Sequence, residues 1–258
     1  MIRGIIEASR RRGFAPAASW PGEERRDLIS SAQAIKSRGQ IPIIAEIKPK
    51  ALGRPLTEEE VFAYARAYAD SNACAISVLT EPSNFLGSLE NAAIARKAGL
   101  PVLRKDFIFD LRQLSEVQAD LVLLIAALGV DLNRFIEAAR ESGMEPLLEV
   151  HTEEEMDAAL KTDAEIIGIN NRNLNTLEVD LNTFERLAPL AKQAGVFLVA
   201  ESGVHSREDA LRMMRAGADR FKPNLVSSPV YLTRIITSSR SKTLSGGSQG
   251  RRNFSRIS

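Results

Sequence analysis

The sequence predicts a single parallel β/α barrel, and two patterns carry that prediction. Short apolar runs rich in β-branched residues recur and stop on a charged or amide residue: IPIIAEIK (41–48), AISVLTE (75–81), LPVLRKD (100–106), EPLLEV (145–150), EIIGINNR (165–172) and VFLVAESG (196–203). Such a run reads as a strand buried on both faces, the state of a strand in a parallel sheet. Amphipathic segments of helical period lie between the runs, and parallel strands need crossover helices of this kind. A chain of 258 residues is the length of one such barrel.

Taken in order, the first forty residues form a helical extension ahead of strand one, in which LISSAQAIKSRG (28–39) reads as a helix covering the barrel bottom. The segment 57–71 opens on Thr57 as N-cap with an acidic first turn. Residues 88–99 open on Ser88 and stop on Gly99, and 131–143, 151–161, 180–195 and 205–217 follow the same plan. Seven strands are legible, LVLLI supplying the fourth. The eighth, around 218–222, is poor, so an irregular last strand is expected. The barrel domain is read as 1–236. The Ser, Gly, Lys and Arg of 237–258 offer little to bury and read as a disordered tail.

Hydrophobic residues make up 44% of the chain and aromatics 5%, which fits an aliphatic α/β core. A formal net charge of +1 gives no case for nucleic-acid binding, so an anionic ligand must be held by local cations. The single cysteine, Cys74, cannot form an internal disulfide. No run approaches the ~20 apolar residues of a membrane span, and the N-terminus lacks a signal-peptide core. The chain reads as soluble and cytoplasmic.

The charges that end the strands carry the functional argument. Glu46 and Lys48 alternate along the end of strand one and so point the same way, toward the barrel axis. Lys105 ends strand three, Glu149 strand five and Glu201 strand seven. Five charges converging on the C-terminal mouth desolvate and couple to one another, which moves pKa values toward working pH. ESGV (201–204) leaves backbone amides at Ser202 and Gly203 free to approach a phosphate. With Arg172 and Lys48 also at the mouth, a substrate carrying both a phosphate and a carboxylate fits. Other candidates fall away. His151 and His205 sit at helix starts without further metal ligands nearby, and Cys74 lies in an apolar run. Ser202 has no elbow motif, and no GxGxxG or Walker loop is present.

These motifs, AEIK, SVLTE with FLGS, VLRKDF, LLI, MEPLLEV, GINNRNL and AESG, resemble those of the indole-3-glycerol phosphate synthase family over residues 41–219. The resemblance implies a (β/α)8 TIM barrel with no cofactor and no metal. It implies the substrate 1-(2-carboxyphenylamino)-1-deoxyribulose 5-phosphate, converted to indole-3-glycerol phosphate, carbon dioxide and water in tryptophan biosynthesis. By motif, Lys105 is the general acid on the ketone and Glu149 the second acid–base group. Glu46 and Glu201 orient the lysines, and Lys48 holds the substrate's anionic end. Asn170 and Arg172 position the substrate, with Arg172 on the carboxylate, and Phe85, Leu123 and Leu174 form a slot for the aromatic ring.

Three departures accompany the resemblance. The loop KPKALGRPL lacks the family's Ser-Pro-Ser stretch after Lys48, the third helix is shortened, and ADRFKPNLVSSP replaces strand eight and its Gly-Ser phosphate loop. Pro223 cannot donate an amide there. A catalytically impaired barrel kept as a binding or structural subunit is therefore an alternative. Another sugar-phosphate barrel, such as phosphoribosylanthranilate isomerase, is a further one, but it calls for a Cys/Asp pair where strand one here ends on Glu and Lys.

Overall fold

In-out alternation along the first seven strands sorts the described residues into two apolar layers. The computed structural model describes residues 2–11, 13–16 and 24–222. The strands are β1 (Ile44–Ile47), β2 (Ala75–Leu79), β3 (Val102–Lys105), β4 (Leu121–Ile125), β5 (Glu145–Val150), β6 (Ile166–Asn170), β7 (Phe197–Glu201) and β8 (Arg220–Lys222). They form one sheet in sequence order, each consecutive pair is parallel, and β8 comes alongside β1. Among the described residues two helices precede β1, namely α1 (Ile2–Arg11) and α2 (Leu28–Ser37). The crossovers carry α3 (Glu58–Asp70), the one-turn α4 (Pro82–Phe85), α5 (Leu89–Arg96), α6 (Leu132–Glu141), α7 (Glu153–Ala159), α8 (Asn182–Gln193) and α9 (Arg207–Ala216).

Outward-facing Ile76, Val78, Val122, Leu124, Ile167 and Ile169 pack against Val61, Ala65, Phe184 and Leu187 of the helices. Inward-facing Ile44, Leu103, Leu121, Leu147, Ile166 and Val199 fill the barrel, and Leu28, Ala32 and Ile35 of α2 join them. The helix expected at 28–39 thus plugs the bottom. It starts where the Asp27 carboxylate accepts the Ile29 and Ser30 amides, and Ser31 Oγ donates to the Cys74 carbonyl. Cutting one of the fully buried aliphatics, such as Ile167, to alanine removes about 2–5 kcal/mol of stability.

Starts and stops follow local chemistry. Thr57 and Glu60 form a reciprocal capping box on α3, and Ser88 and Asp131 cap α5 and α6. Where β3 crosses to β4 there is no α-helix, only a five-residue 3-10 turn, Leu111–Ser115, as the shortened segment suggested. Arg104 fills that gap. It faces outward from β3, is fully buried, and its guanidinium contacts Asp106 at 3.2 Å, Glu116 at 2.6 Å and the Gln113 carbonyl. Glu116 also accepts the Ala15 amide at 2.9 Å, which ties the N-terminal extension to this crossover.

The eighth strand is short, but its three residues pair in regular parallel register with β7, Glu201 opposite Lys222. The phosphate-loop segment from Pro223 to Ser228 and the expected disordered tail lie outside the described residues. No helix among the described residues is long and apolar enough to cross a membrane.

Candidate active site

Period-two alternation sets the site. Ile44, Leu103, Leu147 and Val199 face the barrel interior, so Glu46, Lys105, Glu149 and Glu201, two residues on, face the same way at the C-terminal end. A cavity of about 330 Å³ opens there. It is lined by Glu46, Lys48, Lys105, Glu149, Asn170, Arg172 and Ser202 and walled on its apolar side by Phe85, Phe107, Leu123 and Leu174. Ten of the twelve residues singled out from the sequence therefore share one cavity. Glu201 and Gly203 are not in its lining.

Lys105 Nζ donates to Glu46 Oε2 at 3.3 Å, and Glu46 is almost wholly buried. Lys48 stands beside this pair. Burial holds its ammonium below the ordinary lysine range; nearby Glu46 opposes that, while Lys105, Arg172 and Lys50 add to it. Three cations, Lys48, Lys105 and Arg172, thus line one cavity beside Glu46 and Glu149, and cations gathered in this way offer partners to an anion.

Phe85 reaches the rim because the buried Glu81 carboxylate accepts the amides of Ser83, Asn84 and Phe85, building α4 on the end of β2. Its ring lies 6.3 Å from that of Phe107 and 5.3 Å from Lys50 Nζ. Glu81 looked like another strand-end charge, yet it serves as a cap.

The β6 and β7 ends are locked together by Asn171, whose side-chain amide donates to the Glu201 and Ser202 carbonyls at 3.1 Å each while its oxygen accepts the Phe184 amide. Asn170 Oδ1 accepts the Arg172 amide, and Arg172 Nη1 donates to the Leu177 carbonyl at 2.7 Å, so this guanidinium is held at the rim past the end of the strand. Glu201 sits deeper, against Gly168 of the neighbouring strand. A Cβ at 168 would overlap the Glu201 carboxylate, so glycine makes the room it occupies. Ser202 and Gly203 both take left-handed backbone, φ 62° and 79°. For serine that conformation costs about 1–2 kcal/mol, and such strain concentrates at ligand sites. A side chain at 203 would also strike Val179 and Leu181.

His151 and His205 lie one residue before the caps Thr152 and Ser206, rather than at the caps. Cys74 is fully buried. Among the described residues no group of three or more His, Cys, Asp or Glu side chains could hold a metal ion. Sequence reasoning missed Asn171, Glu81, the Arg104 cluster and the contact between His151 and Glu149. The only available signal was polar residues inside apolar motifs, as in GINNR and VLRKD.

Solved structures share this fold. N-acetylmannosamine-6-phosphate 2-epimerase from Clostridium perfringens superposes with a TM-score of 0.58 over 83% of this chain and 97% of that one, at 13% identity. Deoxyribose phosphate aldolase from Aeropyrum pernix gives 0.55 over 82% and 97%, at 18% identity. At those identities the likeness is one of fold alone. Sequence relatives stand much closer. The indole-3-glycerol phosphate synthase of Halobacterium salinarum is 44% identical over 224 residues, covering 84% of this chain and 87% of that protein. Its namesakes from Methanocaldococcus jannaschii and Carboxydothermus hydrogenoformans are 43% and 45% identical, covering 72% and 73% of this chain and 73% and 76% of theirs. The family model for indole-3-glycerol phosphate synthase matches residues 6–227, nearly all of the barrel. With that match and those identities on a barrel whose mouth gathers the motif residues, the chain belongs to the indole-3-glycerol phosphate synthase family.

Proposed function

We propose that the protein is an indole-3-glycerol phosphate synthase, a carboxy-lyase that closes the indole ring of 1-(2-carboxyphenylamino)-1-deoxyribulose 5-phosphate. The observation that carries this reading is the Lys105–Glu46 pair inside a cavity that also holds Glu149 and Lys48 against an apolar wall. In the first step the ring carbon bearing the carboxylate attacks the ketone carbon, and Lys105 gives its proton to the ketone oxygen. Carbon dioxide then leaves and aromaticity returns. In the second step the new hydroxyl leaves as water, Glu149 taking the proton from the carbon beside the ring nitrogen and returning it to the departing oxygen.

Glu46 aims Lys105, and Glu201 braces the neighbouring strand end. Arg172, a planar fork, takes the anthranilate carboxylate, and Asn170 positions the substrate beside it. Lys48 takes the anionic end. Ser202 and Gly203, whose backbone leads toward the start of α9, offer amides to the phosphate. Phe85, Leu123 and Leu174 exclude water beside the aromatic ring. The partner is thus a small sugar phosphate with an anthranilate carboxylate, with neither nucleic acid nor membrane involved, and the setting is the cytoplasm.

The direct test follows indole-3-glycerol phosphate by its indole fluorescence, comparing the protein with Glu149→Gln. Formation by the parent and a loss of at least ~10²-fold in the variant are expected. A parent that binds the substrate at micromolar levels but releases no indole product would instead be a barrel retained for binding.

A further inference from the structure

Next to the catalytic cavity lies a second recess that shares Asn170, Arg172 and Leu174 with it. His151 projects there from the first residue after β5, with only 8% of its side chain exposed. Its Nε2 lies 3.2 Å from Glu149 Oε1 and its Nδ1 3.0 Å from Glu155 Oε2. The His151 backbone amide donates to that same Glu155 oxygen at 2.7 Å, and Thr152 caps α7 on the Glu155 amide. One edge of the imidazole is therefore held by Glu155, whose carboxylate also takes the His151 backbone amide, while the far edge meets Glu149. Other charges bordering the recess are Arg172, Glu178, Asp180 and Arg186, and Arg186 is itself paired with Glu153.

We propose that His151 is a positioning residue for Glu149: clamped by Glu155, it stands as a cation beside the Glu149 carboxylate and fixes its direction in the cavity. The inference rests on the proposed role of Glu149. Electrostatics agree with the geometry. Burial alone would strip the proton from the ring, but Glu149 and Glu155 more than offset it, and His151 is pushed up to about 10. The ring is then charged throughout the physiological range. Its support for Glu149 is fully present below its folded pKa and is lost as pH rises through that value.

Proton NMR of the imidazole ring tests the cation directly, and with two histidines in the chain a His205→Gln variant assigns the signals. The His151 ring should stay protonated past pH 9, and Glu155→Gln should lower its titration by at least a unit. Titration near the ordinary value of about 6.5 would overturn the proposal without touching the proposed reaction. Kinetics test the positioning. His151→Ala should lower kcat by about 10–10²-fold with KM changed less than about threefold, because a displaced catalytic group costs rate more than binding. The acid limb of its pH profile should move up by about one unit, since a carboxylate that loses a neighbouring cation is easier to protonate. His151→Asn, which keeps a donor without the charge, should recover part of kcat and leave the limb displaced. If His151→Ala does not fold, Glu155→Gln carries the test, through loss of kcat at a lower alkaline pH than in the parent. A parent that forms product and is impaired by Glu149→Gln, yet keeps its kcat and pH profile in His151→Ala, would overturn this proposal alone. A parent that forms no product would overturn the proposed reaction instead, and the NMR titration would then decide the His151 cation by itself.

Discussion

The two ends of the barrel use the same charged residues and reach opposite results. At the N-terminal end each buried carboxylate is matched. Asp120, fully buried, accepts the Val102 amide at 2.8 Å and the Arg26 amide at 2.9 Å, with the guanidinium groups of Arg96 and Arg26 at 3.4 and 3.5 Å. Glu145 sits between Arg25 at 2.5 Å and Arg140 at 3.1 Å. At the C-terminal end Lys48, Lys105 and Arg172 line one cavity, and Lys48 loses proton affinity to burial, with Lys105, Arg172 and Lys50 adding to that loss. The bottom is built for stability, because a satisfied buried charge holds two segments in register. The mouth keeps like charges close together, an arrangement that an anionic ligand relieves.

Substitutions at the two ends should therefore fail in different ways. Lys105→Ala should lower turnover by about 10³-fold or more with KM little changed, since the lost interaction belongs to the transition state. Its thermal midpoint should hold. Asp120→Ala should do the reverse, removing about 3–5 kcal/mol of stability by stranding its buried partners, while the protein that remains folded keeps its kcat. Denaturant melts and kinetics on the same two samples check this. A catalytic loss in Asp120→Ala without destabilisation would collapse the contrast.

A smaller effect is expected at the rim. Arg172→Lys keeps the charge and loses the fork, which should weaken substrate binding about tenfold, a loss of roughly 1.4 kcal/mol. An analogue without the anthranilate carboxylate sharpens the assignment. It should bind the variant and the parent alike, and an undiminished difference would mean that Arg172 contacts another group. The smallest effect is one of pH. Because Lys48 sits below the usual lysine value of 10.5, its charge is lost at lower pH than that of a free lysine, so binding of an anionic analogue should weaken on the alkaline side before 10.5 is reached. Lys48→Arg, always protonated, should remove that alkaline weakening, and isothermal titration across pH would show it.

By itself the sequence determined the strands, their parallel order and the faces that carry chemistry. A short apolar run has one stable setting, buried on both sides, and its period of two puts each of Glu46, Lys105 and Glu149 on the same face as the apolar residue two places before it. Helix starts were equally local, because Thr57 and Ser88 act within four residues of themselves. Tertiary structure alone decided which charge meets which. Lys105 and Glu46 are 59 positions apart and come within 3.3 Å only when β1 to β3 pair in register. The same holds for Glu201, drawn back into the space Gly168 leaves, and for Arg104, turned outward into a gap where a helix is missing. Glu81 became a cap and His151 a neighbour of Glu149 for a related reason: a polar side chain past the end of a strand has no period to obey, so the nearest unsatisfied partner in the folded chain sets its role.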